Sequence, residues 1–100
     1  MDDLQQFFEE TIENLNDLLL VTVDEDQREA IRSYRRMLNT ILDEKLAEID
    51  KGSDSFRNAI AELEKASKSA VSAKKDVAQV GSAIGKMEKA VKLLEKLIAV

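Results

Sequence analysis

Leu4, Phe7, Phe8, Ile12, Leu15, Leu18 and Leu19 return at helical steps near the start of the chain. At about 100° per residue they share one arc of roughly 140°. The acidic residues of this stretch fall on the opposite side, so the pattern predicts an amphipathic helix over about 3–21, capped by Asp2 or Asp3. An arc this wide exceeds a two-stranded seam and implies contact with two neighbouring helices.

Thr22 with Glu25 three residues on spells a capping box, and Asp24 offers a second cap, so a second helix is predicted over 25–50. Its apolar stripe is Ile31, Tyr34, Leu38, Ile41, Leu42, Leu46 and Ile49. Lys51-Gly52-Ser53-Asp54 reads as a turn, with Gly52 expected in the left-handed conformation and Ser53 or Asp54 starting the next helix. So short a connection predicts that helices two and three are antiparallel neighbours.

From Phe56 onward the spacing becomes a strict heptad. Phe56, Leu63, Ala70, Val77, Ile84, Val91 and Ile98 occupy one seam position, and Ala59, Ala66, Ala73, Val80, Met87 and Leu94 the other. The middle of the seam is small, flanked by Ser67, Ser69 and Ser72. The pattern predicts a third helix over 54–98. Gly81 and Gly85 mark 81–85 as the place for a kink or break, but the register passes both without slipping, which favours a continuous or kinked rod. The first helix would then lie beside the C-terminal half of this rod. The fold class read from the pattern is all-α: an antiparallel bundle of three helices in one domain spanning 1–100.

Composition sharpens this picture in three ways. With 100 residues, 44% of them hydrophobic and 4% aromatic, the chain is short for burying every apolar stripe, so a homo-oligomer is expected. Cysteine and histidine are absent, which removes disulfides, thiolate chemistry and the usual general base or metal ligand of a bundle. A net charge of −5 speaks against nucleic acid and anionic membranes as partners. The charge is also unevenly placed. Residues 1–26 contain carboxylates but no Lys or Arg, whereas lysines outnumber carboxylates from Lys65 onward, and the two regions should attract one another. No apolar run approaches the roughly 20 residues of a membrane span, and Met1-Asp2-Asp3 is not a basic signal start, so a cytoplasmic protein is expected, with signal-independent export open.

The motifs that resemble chemistry fail on spacing. Gly81-Ser82-Ala83-Ile84-Gly85-Lys86-Met87 echoes a phosphate-binding loop, but it is one spacer short and has Met87 where a magnesium-binding hydroxyl is required. It is read instead as small residues for close packing or a kink. Ser72-Ala73-Lys74-Lys75 contains a Ser-x-x-Lys without its companion motifs. Glu9 with Glu13, and Asp24 to Asp26, lack the spaced ligands of a calcium loop and are read as solvated faces. Arg28, Arg32, Arg35 and Arg36, near Tyr34, form a candidate anion-binding stripe, expected mainly to pair with the neighbouring carboxylates.

The function expected from these readings is a non-catalytic protein–protein interaction module without cofactor or metal. It would self-associate or dock a partner helix through the seam, using Val77, Val80, Ile84, Met87, Val91, Leu94 and Ile98 against Leu4, Phe8, Ile12 and Leu15. The alternatives are a secretion-associated helical hairpin, either exported substrate or chaperone, and a nucleic-acid binder using the arginine stripe.

Overall fold

A computed structural model describes residues 3–98, and the expectation that Asp2 caps the first helix lies outside that range. Four α-helices are present among the described residues: α1 (Asp3–Val21), α2 (Glu25–Thr40), α3 (Asp54–Lys75) and α4 (Val80–Ile98). The all-helical reading stands, and the count of three is corrected to four.

The extra helix comes from a reversal at Asp76, ahead of the glycines singled out in the sequence. Asp76 adopts an extended backbone (φ −142°, ψ 97°), and its carboxylate accepts from the Ala78 amide at 3.1 Å and from the Gln79 side chain at 3.1 Å. A 3-10 turn, Val77–Gln79, leads directly into α4. The chain therefore folds its seam back on itself. Seven residues separate Ala73, the last buried position before the turn, from Val80, the first after it, which is why the heptad reads straight through a break.

Gly81 and Gly85 neither kink α4 nor permit close packing. Both are exposed within an unbroken helix. A Cβ on Gly85 would meet nothing within 4 Å, and one on Gly81 would meet only the Gln27 side chain, at 3.8 Å.

The second helix departs from its predicted span as well. After Thr40 it loosens into a π turn (Ile41–Lys45) and tightens into a 3-10 turn (Leu46–Glu48) before Ile49 becomes extended. The wide turn inserts one residue into the stripe, so that Ile41 and Leu46 both reach the core and Lys45 does not. Gly52 does not take the expected left-handed conformation, as no described glycine has positive φ. Its amide instead donates to Asp50 Oδ1 at 3.0 Å, and Ser53 caps α3 by accepting from the Phe56 amide at 3.1 Å. At the start of α2 the cap is Asp24, which accepts from the Gln27 amide at 2.9 Å. Thr22 is not part of a capping box; its hydroxyl donates to the Leu18 carbonyl at 2.7 Å.

Two helical hairpins stack to make the bundle. Within α1–α2, Arg35 reaches Asn16 and Arg28 reaches the end of α1, which fixes an antiparallel pair. Within α3–α4, the most extensively packed pair, Lys89 lies 3.7 Å from Glu62. Between hairpins α1 runs parallel to α3, with Asn14 bonded to Ser67 and Asp17 to Lys74. Helix α2 runs parallel to α4, with Gln27 beside Gly81 and Tyr34 beside Glu88. Helices α2 and α3 thus sit across the diagonal rather than side by side as predicted, because eight residues of turn carry the chain across the bundle end. The wide arc of α1 does meet two neighbours, α2 and α3, so α1 lies along the N-terminal half of the predicted rod and not beside its C-terminal half as expected.

Phe8, Leu15, Leu18, Ile31, Leu38, Ile41, Leu63, Met87 and Leu94 form the fully buried centre. The radius of gyration, 13.0 Å, matches about 13 Å expected for a compact chain of this length. No helix among the described residues is long and apolar enough to cross a membrane.

Candidate functional site

The heptad seam proposed as a binding surface lies mostly inside the bundle. Val80, Met87, Val91 and Leu94 are buried, as are Phe8 and Leu15 on α1. Leu4, Ile12, Ile84 and Ile98 are half-buried against the same core. Pairing the two halves of the seam antiparallel, as Glu62 beside Lys89 requires, sets Ala59, Ala66 and Ala70 of α3 near Val91, Ile84 and Val80 of α4. Small side chains thus face larger ones, as close packing at native density requires. The exception is Val77, 63% exposed on the turn.

Parallel packing of α1 on α3 brings the α1–α2 turn and the α3–α4 turn to the same end of the bundle. The exposed large apolar side chains gather there: Leu20 at 84% and Val23 at 94% beside the first turn, Val77 on the second. Carboxylates of Asp24, Glu25, Asp26 and Asp76 stand beside them in the chain and are exposed. An apolar tip with an acidic rim can accept an apolar partner whose own rim is basic.

Three of the four candidate arginines are committed within the chain. Arg28 donates to the Leu19 carbonyl at 2.7 Å, which also accepts from the Thr22 amide at 3.4 Å, and to the Thr22 carbonyl at 3.0 Å, completing the C-terminal end of α1. Arg32 pairs with Glu25 at 3.3 Å and Glu29 at 3.1 Å, and the hydrogen bond to Glu25 leads the effects that raise its pKa. Arg35 bonds Asn16 at 2.8 Å. Arg36 alone of the four is exposed without a partner among the described residues. The stripe is thereby broken up as an anion track. Tyr34 is half-buried, and burial, followed by the charge of Glu88 beside it, raises its pKa.

A separate cluster of positive charge was not singled out in the sequence. Lys65, Lys68 and Lys86 line an open groove of about 310 Å³ between α3 and α4, with Ser69, Ser72 and Gln79. Lys65 is paired to Glu62 at 3.6 Å, while Lys68 and Lys86 have no ion partner among the described residues. All three lysines stand in water, where an anion is held weakly and screened by salt.

A buried hydroxyl pair also escaped the pattern. Thr11 and Ser67 face each other at 3.4 Å inside the core, and the Asn14 amide donates to Ser67 at 3.0 Å. Thr11 lies on the same arc as the α1 leucines, so polar positions inside an apolar stripe were the available signal. Among the described residues, the attraction expected between the acidic start and the lysines reduces to one pair across helices, Asp17 with Lys74 at 3.1 Å. No group of His, Cys, Asp or Glu able to hold a metal occurs among the described residues.

These features describe a helical bundle with one apolar, acid-rimmed tip. Comparison with known proteins brings no match to a family model, to a curated protein or to a solved structure.

Proposed function

We propose that this chain is a non-catalytic, cytoplasmic helical interaction module, which self-associates or docks a partner helix. The observation that carries the reading is the gathering of Leu20, Val23 and Val77, exposed, at the one end that holds both hairpin turns. Scattered apolar residues are ordinary on a protein surface, but a cluster at one end with charge around it is the pattern of a contact site. The seam supplies the rigid support: its side chains hold the two turns side by side and leave the tip free for contact.

Light scattering over a concentration series tests the reading. The wild-type mass should climb above 11.2 kDa and fall again promptly on dilution. A Leu20→Asp, Val23→Asp double variant should lose this reversible association and keep its helical circular dichroism. A wild-type protein that stays at monomer mass, and retrieves no partner from lysate that the double variant does not also retrieve, would remove the proposal.

A further inference from the structure

We propose that a second copy of this chain can supply α4, so that α3, the turn and α4 straighten into one rod and two such rods pair antiparallel. The inference rests on the reading that the protein associates with itself, and adds a route that does not use Leu20 or Val23.

The hinge is small. Between Lys75 and Val80 only Asp76 has an extended backbone, and Val77–Gln79 are already helical in the 3-10 sense. Straightening replaces the Asp76 cap with ordinary helical hydrogen bonds, and no glycine or positive φ holds the turn in place.

The seam is already in register for the exchange. Seven-residue spacing runs from Phe56 to Ile98 without a slip across the turn, which a hairpin alone does not require. In the hairpin Glu62 lies beside Lys89, and the same register between two rods sets Glu62 of one copy beside Lys89 of the other. Every pairing of α3 with α4 is kept. New pairings arise only at the centre, where Val77, 63% exposed in the monomer, comes to lie opposite Ala73 of the second copy. Lys75, which has no ion partner among the described residues of the monomer, comes beside Asp76 of the second copy. With α2 packing on the second copy's α4 as it packs on its own in the monomer, exchange covers an exposed seam residue and pairs a free charge without loss of core contact, the condition under which segment swapping between copies has low cost.

The test uses the absence of native cysteine. Chains carrying Glu62→Cys and chains carrying Lys89→Cys are mixed, unfolded in urea, refolded at high concentration and treated with a short bismaleimide. Exchange predicts a covalent dimer from the mixture and none from either variant alone, because equivalent positions lie at opposite ends of the paired rods. The dimer should persist on dilution and be elongated: a helix of about 45 residues is roughly 67 Å long, against a longest monomer extent of 37 Å. Two further variants set the direction. Asp76→Ala removes the cap, which outweighs the exposed pair with Lys75 that it also removes, and should raise the refolded dimer by about tenfold. Val77→Pro keeps the preceding residue out of the helical region and should lower the dimer by about a hundredfold or more, with the monomer still folded. The Val77 amide has no hydrogen-bond partner among the described residues, so proline fits the hairpin. If dimers form but positions 62 and 89 never join across chains, exchange is wrong and self-association through the tip stands. If neither wild type nor Asp76→Ala yields a slow dimer, exchange is likewise refuted; loss of the prompt, dilution-sensitive association is the separate failure of the tip.

Discussion

The two hairpins of this bundle close by different means. In α3–α4, alanines at positions 59, 66, 70 and 73 are buried, and the helices meet along a seam whose small side chains face larger ones. In α1–α2, long polar side chains bridge the helices: Arg28 ties the end of α1 to the start of α2, and Arg35 reaches Asn16. The first closure depends on volume, whereas the second adds hydrogen bonds at its edge to the buried Leu15, Leu18, Ile31 and Leu38. Closure by volume tolerates neither larger nor smaller groups, whereas a polar bridge at the edge of the core can be replaced by water at modest cost.

The largest expected effect lies in the first hairpin. Leu63→Ala, at a fully buried position, should destabilise the fold by about 2–5 kcal/mol in urea titration. Next, Ala66→Leu should cost about 1–3 kcal/mol by overpacking, although it adds apolar surface. A neutral result there would erase the contrast between the hairpins. Arg28→Met should cost about 1–2 kcal/mol, because the Thr22 carbonyl loses its partner and the Leu19 carbonyl keeps only the Thr22 amide at 3.4 Å. A loss larger than that of Leu63→Ala would invert the comparison. In the other direction, Gly85→Ala should stabilise the protein by about 0.5–1 kcal/mol and raise its melting temperature, because the new methyl meets no neighbour.

The smallest effect is electrostatic and lies mainly within α4, with a lesser link to α2 through Tyr34. The hydrogen bond from Lys92, at 2.9 Å, holds the Glu88 carboxyl below its ordinary value, with a lesser contribution from Tyr34. A lowered folded-state pKa contributes stability above the ordinary glutamate range and loses it as pH falls through the folded-state value. The wild type should therefore exceed Glu88→Gln slightly in stability at neutral pH and lose that margin in strong acid. The group is exposed, so the margin is small and shrinks with salt.

Much of the fold was legible because side-chain periodicity carries it. The boundaries of α1, the starts of α2 and α3, and the buried face of each helix follow from spacing at 3.6 or 3.5 residues and from short polar caps. The reversal at Asp76 was not legible for a specific reason. Periodicity reports which residues share a face, and a turn that keeps a seven-residue step from Ala73 to Val80 leaves the pattern of a straight rod intact. Gly81 and Gly85 drew attention as helix breakers, yet their cost of about 1 kcal/mol each is tolerated inside a helix packed on two neighbours. The candidate site divides in the same way. The seam residues could be named, but whether they face a partner or their own chain depends on the path of the backbone. The tip of Leu20, Val23 and Val77 exists only because α1 and α3 run parallel.

By itself the sequence determined that this chain is helical, which face of each helix is apolar, and that no histidine or cysteine chemistry is available, since these depend on residue identity and local spacing. The tertiary structure decided that the seam closes within one chain, that the hairpins stack in parallel, and which apolar side chains remain in water. Those outcomes depend on contacts between residues far apart in the chain, where one extended residue at Asp76 redirects everything that follows it.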